Sequence, residues 1–319
     1  MDKFNVLIPG AGGPAGINTI KSLRIISFKG KIVSTDSNHL SAGFFLSDSY
    51  YVIPQYDDEF FIDNLLRVIK EQNIKVLMPS SGFDIYSYSD HYNLIREYGA
   101  LPIVSKRKVL EICRDKLLSY KFLSKKFPFA FTTEYPEKID TFPIIAKPRF
   151  GKGSNNIIMI ENRLDLEFVM RKFENMIFQE YLPGTEYTVD VLSDLSEKPI
   201  MAIPRIRIDT KAGISVKGKI VRNSMIENLC KNTAETLGIR GPSCIQLKES
   251  KNGELKIIEI NPRFGGGTIF TTLAGANFPA MLLELVSNNN NNNNNNNNLI
   301  IPQVSEITVV RYFEEIVLA

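Results

Sequence analysis

The 319-residue chain has no tryptophan, only two histidines and only three cysteines, and it lacks any long apolar run. Each scarcity excludes something. Cys113, Cys230 and Cys244 are odd in number, far apart and free of any CxxC spacing, so neither a disulfide framework nor a zinc site is expected. His39 and His91 lie in polar stretches with no serine or cysteine motif beside them, which argues against triad chemistry and for surface positions. Without about 18 consecutive apolar residues there is no transmembrane helix. The N-terminus, Met1-Asp2-Lys3-Phe4-Asn5, runs straight into a strand pattern with no charged n-region and apolar h-region, so a cytoplasmic protein is expected. Charge of one sign is missing too. Against 38 Lys+Arg stand 35 Asp+Glu, a net +3, which argues against a chain built to hold nucleic acid or an anionic membrane. The basic clusters Lys106-Arg107-Lys108 and Lys125-Lys126 sit in helical patterns and read as solvated faces.

What is present is a core-forming composition, 44% hydrophobic, over a length that suggests about two domains. Over the first hundred residues strands and helices alternate. Strands are expected at 5–9, 31–36, 75–78 and 101–104, and helices at 15–26, 58–72 (capped by Asp57 or Asp58) and near 85–98. That alternation predicts a Rossmann-like, doubly wound parallel sheet. From about residue 105 the texture changes. Helices at 106–113 and 115–126 lead into strands at 143–147, 155–160, 176–181, 185–192 and 199–208, then a helix at 223–237 and strands at 243–249 and 254–260. This is α+β with antiparallel pairs. The main boundary is expected near 104–108. Glu306–Phe313 alternates as a strand returning to the second part. The eleven asparagines at 288–298 offer nothing to bury and are expected to be disordered.

Gly10-Ala11-Gly12-Gly13-Pro14-Ala15-Gly16 turns from a strand into a helix, and Asp36 ends the next strand. The pattern fits a permissive dinucleotide fingerprint, which taken alone predicts an NAD(P)-dependent oxidoreductase. But any tight strand-to-helix turn wants these glycines, and Pro14 removes an amide donor that a pyrophosphate would use. A structural turn lining a cleft is the favoured reading.

Stronger chemistry lies at 243–263. Two strand-like runs flank Asn252-Gly253, a two-residue hairpin signal. That turn pairs Lys251 with Glu254, puts Gln246 directly opposite Glu259, and turns Asn261 to the same face. One carboxylate and two amide oxygens form a hard-oxygen set suited to Mg²⁺, with Mn²⁺ the other candidate. Ile245, Leu247, Ile258 and Ile260 are expected on the opposite, buried face. Arg263 follows within reach of phosphate oxygens, and Gly265-Gly266-Gly267 allows close approach of a ligand.

Between 115 and 190, Ile144–Lys147 is a strand ending in a lysine beside the Gly-rich loop Gly151-Lys152-Gly153-Ser154, an arrangement able to hold phosphate though not a Walker A motif. Gln179-Glu180-Tyr181-Leu182-Pro183-Gly184-Thr185-Glu186 is a strand, a turn and an acid on either side. Arg205 and Arg207 alternate on one strand, where they read either as a clamp for a substrate carboxylate or as solvated arginines.

Together Asp115-Lys116, Ala146-Lys147-Pro148 with the 151–154 loop, Gln179 to Glu186, Gln246, Glu259-Ile260-Asn261-Pro262-Arg263-Phe264 and Gly275–Pro279 resemble the ATP-grasp superfamily, in the branch of the carbamoyl-phosphate synthase large subunit. Residues 1–104 resemble the pre-ATP-grasp domain. The resemblance implies a pre-ATP-grasp domain at 1–106, a small nucleotide-binding lobe at 107–183 and a large lobe carrying the metal site at 184–319. It implies a cytoplasmic ligase that converts a carboxylate to an acyl phosphate with ATP and couples it to an amine, ammonia or thiol. Its site would use Lys116, Lys147, Gly153 and Ser154 for phosphates, Glu180, Tyr181 and Leu182 for adenine, Glu186 for ribose, Gln246, Glu259 and Asn261 for Mg²⁺, and Arg263 with Lys147 in catalysis. The implied partners are small-molecule carboxylate and amine substrates, with a homodimer common among such proteins. Two features depart from the pattern. Asn156 stands where the loop usually has glycine, and Gln246 stands where many relatives have an acid. Asn156 is the sole support for a second alternative, an ATP-binding module without catalysis.

Overall fold

The computed structural model describes residues 4–80, 82–151, 156–290 and 299–317. The first strand, β1 (Asn5–Pro9), is buried on both faces and lies between β2 (Ile32–Asp36) and β4 (Ile74–Leu77). With β3 (Ser49–Val52) and β5 (Leu101–Pro102) they form a five-stranded parallel sheet in the order β3-β2-β1-β4-β5. The strand order reverses between β1 and β4. In open α/β sheets the crevice beyond the carboxyl ends at such a reversal is where ligands bind. The expected doubly wound sheet is therefore present, and its crevice opens beside Gly10 and Ser80.

Helices α1 (Pro14–Ile25) and α2 (Phe61–Glu71) cover the sheet. The first begins on Pro14, where a missing N–H costs nothing because first-turn amides have no intrahelical partner. The expected cap at Asp57 or Asp58 is displaced. Phe60 occupies the cap position, and Asp58 accepts the Phe60 N–H at 2.8 Å. The single helix expected near 85–98 breaks at His91 into α3 (Asp84–Asp90) and α4 (Tyr92–Glu97). His91 Nδ1 lies 2.9 Å from the Ser87 carbonyl, at the break.

Helices α5 (Arg107–Arg114) and α6 (Lys116–Leu123) follow, and Asp115 between them caps α6 by accepting the Leu117 and Leu118 amides. Next comes an antiparallel four-stranded sheet, β6 (Thr132–Thr133), β7 (Ile144–Pro148), β8 (Ile158–Ile160) and β9 (Met176–Glu180), in the order β6-β9-β7-β8. Helix α7 (Arg163–Lys172), capped by Asn162, lies between β8 and β9 in sequence. The third sheet is antiparallel and six-stranded: β10 (Glu186–Ser193), β11 (Pro199–Lys211), β12 (Ile214–Ile220), β13 (Pro242–Glu249), β14 (Leu255–Asn261) and β15 (Thr308–Val310), ordered β14-β13-β10-β11-β12-β15. Helix α8 (Ser224–Leu237) packs on it through Ile226, Cys230 and Ala234. The C-terminal strand returns to the edge of this sheet, as its alternation predicts.

Helices α9 (Thr268–Leu273) and α10 (Phe278–Asn290) pack against α1. One apolar core therefore runs from Val6, Ile20 and Val76 of the first sheet to Phe264, Phe270 and Leu282. Asn288–Asn290 continue α10, which corrects the expectation of disorder for that part of the asparagine tract; 291–298 lie outside the described residues. The three cysteines are buried and unpaired.

Candidate active site

The hairpin of β13 and β14 does not have the two-residue turn expected of it. Near its tip Glu249 pairs with Leu255, and Gly253 takes a left-handed φ of +79° in a three-residue loop after Ser250. That shifts the register by one. A bulge at Ile258 then shifts it back, so Gln246 lies opposite Glu259 after all, and Cys244 opposite Asn261. The bulge corrects one expectation. Ile257 is fully buried in the core, whereas Ile258 lines the cavity together with Glu259. Its freed carbonyl accepts the Lys147 ammonium at 3.2 Å.

Lys147 stands on β7, in the facing sheet, and is almost completely buried. It also donates to Gln179 Oε1 at 2.9 Å, and Gln179 in turn donates to Thr132 Oγ1 at 2.9 Å. Burial pulls the Lys147 ammonium down to about 8, while Glu259 works the other way and Lys116 adds to the fall. Lys116 sits at the start of α6 and donates to the Gly151 carbonyl at 3.2 Å. Burial alone would raise the Glu259 carboxyl. Lys116 and Lys147, the Asn261 amide at 3.0 Å and Arg263 reverse this and hold it below the usual carboxylate range. Arg263 donates to Asn261 Oδ1 at 3.3 Å and to the Phe264 carbonyl at 2.9 Å. A lysine pair, a carboxylate and an arginine thus face one space, with two neutral amides between them.

That space is a cavity of about 1270 Å³. Lys116, Lys147, Glu180, Tyr181, Leu182, Glu186, Gln246, Glu259, Asn261 and Arg263 all line it. Gly153 and Ser154 lie outside the described residues. The acids flanking the Pro183-Gly184 turn are engaged. Glu180 accepts Lys256 Nζ at 2.9 and 2.8 Å and the Phe131 N–H at 2.7 Å. Glu186 pairs with Arg207 at 2.6 Å. Asn156, at φ +56°, adopts the left-handed conformation that glycine favours and that asparagine tolerates better than most residues.

Arg205 is not solvated. It is 2% exposed, pairs with Asp190 at 3.1 Å, and donates to the Gly267 carbonyl at 2.9 Å. A Cβ on Gly267 would fall 2.1 Å from its guanidinium, so here glycine makes room for an arginine. Asp36 is occupied in closing the N-terminal turn, accepting the Gly12 N–H at 2.8 Å and the Asn38 N–H at 3.1 Å. The turn lines the same cavity, as the structural reading expects.

Sequence reasoning passed over Gln179 and the Ile258 carbonyl, which hold Lys147, and Lys256, which holds Glu180. Gln179 carried a signal: a glutamine next to the apolar residues Met176-Ile177-Phe178 on one strand needs a partner where it is buried. The carbonyl carried none, because a bulge has no residue signature here. Among the described residues no group of three or more His, Cys, Asp or Glu side chains could hold a metal.

Residues 172–310 match the family described as ATP-grasp in the biosynthetic pathway with Ter operon, and residues 7–99 match the PylC-like, N-terminal domain. The chain thus carries an ATP-grasp region over residues 172–310 and a PylC-like N-terminal domain over residues 7–99. It is 24% identical over 274 residues to a D-aspartate ligase of Enterococcus faecium, covering 73% of this chain and 65% of that protein, so it spans less than two thirds of that relative. It is 20% identical over 302 residues to a carbamoyl-phosphate synthase of Methanobrevibacter smithii, covering 88% of this chain and 81% of the other. Among solved structures it resembles the biotin carboxylase domain dimer of the Hydrogenobacter thermophilus 2-oxoglutarate carboxylase, solved with MgADP, ADP and bicarbonate. There the TM-score is 0.69 and the identity 15%, with 89% of this chain and 70% of that one covered.

Proposed function

We propose that the chain is an ATP-dependent, ADP-forming ligase that joins a small-molecule carboxylate to an amine or another nucleophile. The observation that carries this reading is the convergence of Lys116, Lys147 and Arg263 with Gln246, Glu259 and Asn261 on one cavity. Phosphoryl transfer needs mainly positioning and charge neutralisation, and these residues supply both. Lys116 and Lys147 hold the phosphates, and Glu180 to Leu182 and Glu186 border the nucleoside. The apolar side chains Ile145, Ile157 and Ile258 on the cavity wall suit a purine.

One carboxylate and two amide oxygens on neighbouring strands fit a hard divalent cation that takes its remaining ligands from phosphate and water. Gln246, Glu259 and Asn261 would hold Mg²⁺. Bound there, it would neutralise β- and γ-phosphate oxygens. Arg263 steadies the transferring group. A substrate carboxylate oxygen attacks the γ-phosphorus, the bond to the bridging oxygen breaks, and ADP leaves. The nucleophile then attacks the acyl carbon, gives up its proton, and expels phosphate.

The division at 1–106, 107–183 and 184–319 belongs to the same proposal, as does a homodimer, the form named for the biotin carboxylase domain. Among the described residues no helix is long and apolar enough to cross a membrane. Three buried, unpaired thiols accord with a cytoplasmic location. The test is ADP release from Mg²⁺–ATP with pooled carboxylates and amines. Release that needs one of each is expected; no release with any pair contradicts the proposal.

A further inference from the structure

Lys116 and Lys147 come from different elements, α6 and β7, and both are buried. Two like charges held near one another repel, so something must fix their separation. Arg149, two residues beyond Lys147, is placed to do it. Its guanidinium forks onto Asp115, with Nε at 2.9 and 3.0 Å from the two carboxylate oxygens and Nη2 at 2.7 Å. Nη1 reaches Glu134 at 3.0 Å. The Lys116 N–H donates to the Arg149 carbonyl at 3.3 Å, and the Arg149 N–H donates to the Asn175 carbonyl at 2.8 Å. Asp115 is also the cap of α6, so its position sets where Lys116 emerges. Lys147-Pro148-Arg149 and Asp115-Lys116 therefore form one closed frame, tied by side chain and main chain. Arg149 does not itself line the cavity.

We propose that Arg149 is a positioning residue that sets Lys116 against Lys147 and so builds the phosphate cradle. The proposal rests on the nucleotide reading above. Arginine is needed because only a planar fork engages both Asp115 oxygens and still reaches Glu134; a lysine ammonium is a single point.

The test uses the full chain in five forms: wild type, Arg149→Lys, Arg149→Gly, Asp115→Asn and the double variant of Arg149→Lys with Asp115→Asn. Mg²⁺–ATP affinity is read by calorimetry, and the thermal midpoint is read without nucleotide. Arg149→Lys should bind about tenfold more weakly, the scale of one lost charged hydrogen bond, with little change in the nucleotide-free midpoint. The double variant should be no weaker than the worse single one, because the two residues act as a unit. Arg149→Gly should regain affinity when millimolar guanidinium is added, which a residue that merely stabilises the fold would not show. Wild-type affinity in Arg149→Lys overturns the assignment, and so does additive loss in the double variant or a failure of rescue. A wild-type chain that binds no Mg²⁺–ATP overturns the functional reading, and this assignment with it.

Discussion

Gln246 lies directly opposite Glu259 because two register shifts cancel. The three-residue turn after Ser250 moves the pairing by one, and the bulge at Ile258 moves it back. A bulged residue also bends its strand and frees a ladder group. Here the freed carbonyl meets Lys147, so the irregularity that restores the Gln246–Glu259 pair also ties β14 to the facing sheet.

Glu259 is the negative centre of the site. Glu259→Gln should fold but lose its Mg²⁺-dependent ADP release by about 100-fold or more, as expected when a group aligned with transition-state charge is removed. Glu259 titrates below its ordinary value of 4.5 in the folded chain, so its contribution to stability is full above that value. It disappears as pH falls through the folded value. Acid unfolding should therefore be shallower in the variant. Unchanged ADP release would refute the role of Glu259.

Lys147 gives a signal of opposite sense. Its folded value of about 8 lies below the ordinary 10.5, so between these values the unfolded chain carries a proton that the folded chain lacks. Stability from this group rises with pH across that window, because burial of the ammonium costs most below pH 8. Wild type minus Lys147→Met, measured by urea unfolding at pH 7 and pH 10, should expose this rise. Mg²⁺–ATP affinity of the wild type should fall above about pH 8, and Lys147→Ala should abolish binding. A pH-independent difference between the two chains would contradict the buried, phosphate-facing ammonium.

Arg205 and Asp190 are a buried ion pair, with Thr271 and Cys244 also on the carboxylate. Arg205→Met leaves Asp190 buried without its partner, so the loss should be about 3–5 kcal/mol in urea unfolding. A loss below about 1 kcal/mol, typical of an exposed pair, would show that the arginine is free for other work.

At Asn156 the left-handed backbone ranks the substitutions. Asn156→Gly should match the wild type, and Asn156→Val should cost about 1–2 kcal/mol. If valine were tolerated as well as glycine in unfolding experiments, the left-handed assignment would be wrong.

Legibility followed the period of the pattern. The buried runs at β1 and β4 and the helical spacing of α2 and α8 were readable because one repeat dominated each. Edge strand β3 was missed because Ser49–Val52 is too short to show a repeat. Helices α9 and α10 were missed because Phe270, Phe278 and Leu282 are buried in a shared core, which blurs a one-sided stripe. Part of the candidate site was legible as chemistry: Lys147 at a strand end, and the oxygen donors Glu259 and Asn261 two apart, whereas Lys116 at the start of α6 rested on the resemblance. Their supports were not. Arg149 with Asp115, Lys256 with Glu180, and the Ile258 carbonyl meet only after the chain has folded.

The most direct test of the account is a thermal-shift comparison of the purified chain with an ATP analogue plus Mg²⁺, with the analogue alone, with NAD(P), and with no ligand. At 100 times its Kd a ligand stabilises by about 2.7 kcal/mol, a readily visible shift. The account predicts a shift with the analogue that needs Mg²⁺, and none with NAD(P). A shift with NAD(P) alone would make the Gly10–Gly16 turn the active element and contradict the nucleotide cradle built from Lys116, Lys147 and Glu259.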